Sequence, residues 1–172
     1  MFERILKLKN KLFLEYKLLT SKALPVVFDH LPKCGGTSVN YFLKNAYPKR
    51  ASFNLNIDSP IKSTEEFKNF NLRKRQKTKL VYGHLANELR DFVNPESIWA
   101  VVVREPVDRI ISHYFFVKRN KKHYLHEEVE EKNISLEEYC YHNLSYELEK
   151  FYVAHFSGLS SLEIQRNPQI AV

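Results

Sequence analysis

The sequence predicts a layered α/β fold in which helices cover a central parallel sheet. Three short apolar runs have the length and composition of buried strands in such a sheet. They are residues 24–28 (LPVVF), 79–83 (KLVYG) and 97–103 (SIWAVVV). Helical patterns separate these runs, and alternation of strands with helices is typical of α/β proteins.

The first element is predicted to be a basic amphipathic helix over residues 1–22. Lysines separate its apolar positions, which are Phe2, Ile5, Leu12, Phe13, Tyr16 and Leu19. The segment lacks the long uncharged core of a membrane-spanning helix or a signal peptide. Packing on its own domain or on a partner is the favoured interpretation; the alternative is peripheral contact with an anionic membrane.

Residues 23–172 are predicted to form one α/β domain. Helices are expected over residues 37–46, ending before Pro48, and over residues 107–119, after Pro106. Ser135 and Glu138 have the spacing of a capping box, and a last helix is expected from Tyr146 to Gly158. The polar residues 50–78 are expected to cross the surface, with a short helix near residues 65–70.

Composition limits the class of protein. A chain of 172 residues with 44% hydrophobic content fits one globular domain with a core of its own. The net charge of +7 favours anionic partners. Cys34 and Cys140 are far apart and lack metal-ligand spacing, so we expect neither a disulfide framework nor a metal site, and a cytoplasmic location.

The turn after the first predicted strand has the composition of an anion-binding loop. Gly35 and Gly36 permit close approach of the backbone to an anion, and the first amides of the next helix lack acceptors within that helix. Thr37 and Ser38 add hydroxyl groups, and Lys33 adds a positive charge. The lysine precedes the glycines, so the turn is not a Walker A loop. An ordinary strand-to-helix turn is the simpler alternative.

A second polar group follows the strand at residues 97–103. Arg104 is at the strand end, where open α/β sheets bind ligands, and Ser112 lies on the following helix. A guanidinium and a hydroxyl suit a terminal phosphate. Asp108 and Arg109 are expected to be structural, as an acid near a helix start and an ion-pairing base.

Both segments resemble those of a known enzyme family. HLPKCGGTS (30–38) is similar to the 5′-phosphosulfate loop, typically HIPKTGGTS, of sulfotransferases that use 3′-phosphoadenosine 5′-phosphosulfate (PAPS). VVVREPVDRIISHYFF (101–116) resembles their 3′-phosphate segment, and VYGHLANEL (81–89) contains the Gly-His pair of the heparan sulfate 2-O-sulfotransferase type and its bacterial relatives. EKFYVAHFSG (149–158) is similar to a helix that ends in Ser-Gly in that family.

The resemblance implies a three-layer P-loop-like fold and sulfuryl transfer from PAPS to a carbohydrate hydroxyl. It implies that His84 is the catalytic base. Glu88 and Asp91, nearby in the sequence, are fallback bases. A histidine that only closes a strand through a backbone hydrogen bond is the alternative for His84. The resemblance implies that Lys33 is also catalytic, because it would stabilise the departing phosphate. It further implies that the donor is bound by these residues: Lys33, Cys34, Gly35, Gly36, Thr37, Ser38, Arg104 and Ser112.

The sequence departs from the family pattern at two places. Cys34 stands where the loop typically has threonine, and the family continues beyond Ser-Gly with a further helix and strand, whereas this sequence ends at Val172. We therefore expect a C-terminally shortened version of the fold. A catalytically inactive module that binds nucleotides or polyanions is the alternative function.

The remaining polar features point to no further cofactor. The other histidines form no coherent ligand set, so no metal is assigned. The basic run RKRQKTK (73–79) is either a solvated face or a track for an anionic saccharide. No nucleic-acid-binding motif is present, and the sequence makes no prediction of oligomeric state.

Overall fold

The computed structural model describes residues 24–141 and 151–157. The chain divides into two compact units, one up to Arg104 and one from Glu105 onward. The predicted N-terminal helix and residues 146–150 and 158 of the predicted last helix lie outside the described residues. Among the helices that are described, none has the length and apolar character needed to cross a membrane.

The described residues of the first unit form a four-stranded parallel sheet. Its strands are β1 (Val26–Asp29), β2 (Ser52–Leu55), β3 (Leu80–Gly83) and β4 (Ile98–Val101), in the order β2-β3-β1-β4. Asp29 at the end of β1 pairs with Gly83 on one side and Val101 on the other. Three of the four strands and their parallel direction were predicted from the apolar runs, and both predictions are confirmed.

Helices cover both faces of this sheet. The first-unit helices are α1 (Gly36–Ala46), α2 (Pro60–Lys68) and α3 (Leu72–Lys77). On one face, buried Val27, Val81 and Leu55 share a core cluster with Phe67 of α2. On the other face, Phe28 and Tyr82 pack against Val39 and Leu43 of α1. Alternate residues of β1 and β3 thus serve opposite faces, and the predicted α/β layering is confirmed.

Strand β2 was missed because its residues are mixed in polarity. Phe53 and Leu55 contribute to the core, but Ser52 and Asn54 alternate with them and give the segment a polar composition. The expected short helix near residues 65–70 is α2, which begins earlier because Pro60 occupies its first position. The basic run forms α3, which has no buried residue.

Strand β4 differs from the expectation of a buried strand. Among the described strands, it lies at the edge of the sheet and pairs with β1. All four of its residues are exposed, with Ile98 at 52% and Val101 at 41%. The apolar run correctly indicated a strand, but an edge position does not require both faces to be covered.

The second unit is helical in its described residues. Its helices are α4 (Pro106–Arg119), α5 (His126–Glu131), α6 (Leu136–Tyr141) and α7 (Phe151–Ser157). Its core residues are Tyr114, Val117, Leu125, Val129, Ile134 and Tyr139. The predicted capping box is confirmed, because the Glu138 amide donates to Ser135 Oγ while Glu138 Oε2 accepts from the Ser135 amide. Arg109 is buried, and its guanidinium lies 4.0 Å from the centroid of the Phe151 ring.

Candidate active site

Three predicted site segments follow neighbouring strands. The Gly-Gly loop, residues 33–38, follows β1; His84 follows β3; and Arg104 lies three residues beyond the end of β4. Because the strands are parallel and Asp29 is in register with Gly83 and Val101, all three segments leave the sheet at the same edge. This carboxyl edge is where α/β sheets bind their ligands.

Gly35 allows the loop to enter α1 directly. It is the N-cap residue of α1 and has left-handed backbone angles, φ 81° and ψ 5°. A residue with a Cβ disfavours this conformation, whereas glycine adopts it readily. No side chain caps α1, and its first turn contains no acidic residue. The first amides and the positive end of the helix dipole can therefore serve an anion.

Gly36 meets a second requirement, which the sequence did not reveal. A Cβ built on Gly36 would lie 2.0 Å from Cδ2 and 2.5 Å from Nε2 of His30. Real Cβ atoms do not approach other atoms so closely. The second glycine therefore makes room for the His30 ring, not only for an anion.

The rest of the Gly-Gly loop presents backbone and hydroxyl groups. Lys33 is half-buried with a positive φ of 63°, and Thr37 and Ser38 are exposed on the first turn of α1. Cys34 is buried, and its Sγ donates to the carbonyl oxygen of Pro32 at 3.6 Å. The cysteine side chain thus points inward, and substitution of the usual threonine leaves the loop amides in place.

The ring of His84 is oriented by a backbone hydrogen bond. Its Nδ1 lies 2.6 Å from the carbonyl oxygen of His30. A carbonyl oxygen can only accept, so Nδ1 must carry the proton. In the neutral ring, Nε2 then bears the lone pair that a general base needs. The backbone bond that the alternative interpretation expected is present, and it also sets the tautomer suited to a base.

Gly83 allows the chain to reach this position. Its φ is 132°, and an added Cβ would lie 2.5 Å from the carbonyl oxygen of Leu55. The glycine of the Gly-His pair is therefore explained by its close contact with β2. Leu85, which follows, also has a positive φ, of 62°.

His30 is a buried histidine beside His84. The two rings are stacked, with centroids 4.4 Å apart and planes inclined by 19°. Nδ2 of Asn40, on α1, lies 2.9 Å from His30 Nδ1. Burial and the nearby His84 lower the pKa of His30 to about 4, although Asp29 acts in the opposite direction.

Both histidines line a cleft of about 540 Å³ between α1, β2 and the end of β3. Thr37 of the Gly-Gly loop lines it as well, so the helix start and His84 face the same space. The other polar or aromatic lining residues are Asn40, Tyr41, Lys44, Lys49, Ser52, Asn54, Asn56 and Tyr82. Neither fallback base lines this cleft, and Glu88 instead lies 3.7 Å from the ammonium of Lys68.

Comparison with known proteins decides the family. The model of the sulfotransferase family matches residues 16–162, which is most of the sequence. The chain belongs to the sulfotransferase family. No curated protein and no solved structure matches it significantly. Members of this family transfer a sulfuryl group, so the loop, the cleft and His84 are candidate parts of a transfer site.

Two further predicted residues of this sulfotransferase lie on either side of the division between its units. Arg104 is exposed at the end of the first unit, and Ser112 is half-buried on α4 of the second. Their joint contact with a 3′-phosphate stays a prediction from the sequence.

Sequence reasoning missed His30 and the residues of α1 and β2 that line the cleft of this sulfotransferase. His30 directly follows β1, so its position at the carboxyl edge was a usable signal. Asn40 lies four residues after Gly36, one turn along α1, and therefore on the same side of the helix. The residues contributed by β2 could not be found because that strand was not recognised.

Proposed function

We propose that this sulfotransferase transfers a sulfuryl group from PAPS to a hydroxyl of a carbohydrate acceptor. The observation that carries the proposal is the shared cleft. It is lined both by Thr37 at the uncapped start of α1 and by the imidazole of His84. An anionic donor held at the helix start would thus present its sulfur towards a base.

The donor would be held mainly by backbone groups. The amides at the start of α1 and the helix dipole suit the 5′-phosphosulfate, and no side chain caps the helix. Within the loop, the Cys34 and Ser38 amides already donate to the carbonyl oxygens of Leu31 and Gly35, so the amides of Gly36 and Thr37 would serve the donor. Lys33 would neutralise charge on the leaving phosphate. Arg104, at the neighbouring strand end, would bind the 3′-phosphate and select PAPS over nucleotides that lack this group.

The transfer step needs one base and one leaving group. The acceptor hydroxyl gives its proton to Nε2 of His84 while its oxygen forms a bond to sulfur. The bond from sulfur to the 5′-phosphate oxygen breaks, and its electron pair stays on that phosphate. Alignment of these atoms and neutralisation of charge supply most of the rate enhancement in such transfers.

The composition of the cleft supports a carbohydrate acceptor. Side-chain amides of Asn54 and Asn56 can donate to and accept from sugar hydroxyls. Tyr41 is 74% exposed and offers a ring surface against which a sugar face can pack. Lys44 and Lys49 would favour acceptors that carry carboxylate or sulfate groups.

Transfer of labelled sulfate from PAPS to a panel of oligosaccharides tests this proposal. Lys33→Ala, Arg104→Ala and His84→Asn should each lower transfer by at least about 10²-fold. Lys62→Ala and Arg119→Ala are matched controls, because both residues are exposed and lie outside both the cleft and the predicted donor-binding residues. Transfer that is unchanged in all three site variants would overturn the assignment.

A binding module without catalysis is the second candidate. It is favoured by a second, basic groove of about 700 Å³ beside α3, lined by Arg50, Arg73, Lys74 and Lys77. Calorimetry separates the two functions. Tight binding of adenosine 3′,5′-bisphosphate, or of a polyanion, with no turnover of any acceptor would favour the module.

A further inference from the structure

We propose that His30 is a second catalytic histidine of this sulfotransferase, a neutral imidazole whose Nε2–H donates a hydrogen bond to a sulfuryl oxygen during transfer. The inference rests on the proposed function and adds a residue to it. His84 would act as the base and His30 as the donor, so two stacked imidazoles of one cleft would have opposite roles.

The position of His30 points to the sulfuryl group. On one side, the His30 ring lies against Gly36, whose missing Cβ leaves room for Nε2. Gly36 belongs to the loop proposed to hold the donor. Its other neighbour is His84, with ring centroids 4.4 Å apart, which would face the acceptor hydroxyl. The group that moves from donor to acceptor must pass between these two points, and His30 lines the cleft there.

The hydrogen bond from Asn40 sets the tautomer of His30. The Asn40 amide donates to Nδ1 at 2.9 Å, so the single proton of the neutral ring lies on Nε2. His30 and His84 are therefore opposite tautomers, since the proton of His84 is on Nδ1. One ring offers a donor at Nε2 and the other offers an acceptor at Nε2.

The surroundings of His30 keep its ring neutral. It is 7% exposed, and both burial and His84 lower its pKa, to about 4. Asp29 acts in the opposite direction and raises the pKa, and the other ionisable residues of the same cleft are Tyr82, Lys44 and Lys49. Near neutral pH the neutral His30 ring does not take the proton that His84 must accept. Because it carries no positive charge, it also does not repel the charge that forms on His84.

The proposed role of His30 does not change which bonds form and break in the transfer step. The hydroxyl proton still passes to His84, the new oxygen–sulfur bond forms, and the electron pair of the broken bond stays on the 5′-phosphate. His30 keeps its Nε2 proton throughout and shares it with an equatorial sulfuryl oxygen. Such a fixed donor acts mainly by stabilising charge in the transition state.

Substitution of His30 tests the donor directly. His30→Phe keeps a flat ring beside His84 and removes the donor, so kcat/KM should fall by about 10²-fold. His30→Gln places an amide N–H near the position of Nε2 and should recover at least about tenfold of that loss. Binding of adenosine 3′,5′-bisphosphate, which lacks the sulfuryl group, should change by less than about threefold in both variants. A kcat/KM for His30→Phe within about threefold of the wild type would overturn the proposal.

Substitution of Asn40 supplies a pH readout that a purely structural role would not give. In Asn40→Asp the carboxylate accepts from Nδ1–H, so a neutral His30 loses its Nε2 proton and only the charged ring still donates there. The ratio of variant to wild-type kcat/KM should therefore fall as pH rises from about 5.5 to about 8. Asn69→Asp is the control, because Asn69 is exposed and does not line the cleft. A ratio that is independent of pH would contradict the assigned tautomer.

Nitrogen NMR of the histidine rings separates failure of this inference from failure of the proposed function. The wild-type His30 ring should be neutral with its proton on Nε2 at pH 7. A proton on Nδ1 would overturn the inference even if the protein transfers sulfate. Absence of any sulfate transfer, with the Nε2 proton present and a normal fold, would instead overturn the proposed function and the catalytic role with it.

Discussion

At the scale of single residues, the adjacent glycines of the loop answer two different requirements. Gly35 is set by its own backbone angles, since nothing lies within 4 Å of the position where its Cβ would be. Gly36 is set by its neighbour, because the His30 ring occupies that space. Substitution of Gly35 and substitution of Gly36 should therefore have different effects on the protein.

Gly35→Ala should mainly reduce stability, by about 1 kcal/mol, because an L-residue is strained at φ 81°. Gly36→Ala should displace the His30 ring and lower kcat/KM by at least about tenfold, besides a packing cost of about 1–3 kcal/mol. Urea unfolding and sulfate transfer, measured on both variants, separate the two effects. Equal transfer by the two variants at equal stability would contradict the contact between Gly36 and His30.

The lowered pKa of His30 predicts a dependence of stability on pH. The ordinary histidine pKa is near 6.5 and the folded value is about 4, so between these values the unfolded chain binds more protons than the folded one. The contribution of His30 to the free energy of unfolding should be complete above pH 6.5. It should fall, by on the order of 2 kcal/mol, as the pH drops towards 4.

Urea unfolding of the wild type and of His30→Gln between pH 4 and pH 7 measures this contribution. The glutamine variant should lose less stability on acidification, because its side chain does not titrate. Parallel curves for the two proteins would show that His30 is not held neutral by the fold.

At the scale of elements, α3 explains where the basic run of the sequence lies. Arg73, Lys74 and Lys77 line the basic groove, and Lys49 and Ser52 line both this groove and the cleft of the two histidines. Lys74 is also positioned by the Phe70 ring, with its ammonium 3.2 Å from the ring centroid. An anionic chain in the cleft could therefore continue into the groove.

The double variant Arg73→Glu with Lys77→Glu should raise KM for an anionic oligosaccharide by about tenfold at low salt and weaken its salt dependence. KM for a neutral acceptor should not change, because the two substitutions act on the electrostatic interaction with a charged chain. Lys121→Glu with Lys122→Glu is the matched control, since these exposed lysines belong to the second unit. Equal effects on charged and neutral acceptors would rule out the groove as a saccharide track.

The elements that could be predicted from sequence were those with a strong local signal. Residues 26–28, 80–82 and 98–101 are apolar and each segment contains at least one β-branched side chain, and α1 follows glycines and stops before Pro48. Strand β2 carries only two core residues, Phe53 and Leu55, and its polar partners concealed it. Its pairing with β3 comes from tertiary contacts that no local pattern encodes.

At the scale of the first unit, parallel strands bring distant residues to one edge. His30 and His84 are 54 residues apart in sequence, yet Nδ1 of His84 bonds the His30 carbonyl. The Gly-Gly loop and His84 could be predicted because each follows a recognisable strand. The role of His30 could not, because it depends on the stacking of two rings and on the space left by Gly36.

Calorimetric titration with adenosine 3′,5′-bisphosphate most directly tests whether this edge of the sheet binds the nucleotide donor. The wild type should bind it at one site, and Lys33→Ala and Arg104→Ala should each weaken binding by at least about tenfold. Lys62→Ala and Arg119→Ala should leave the affinity unchanged. No binding to the wild type, or equal binding by all four variants, would contradict the proposed donor site.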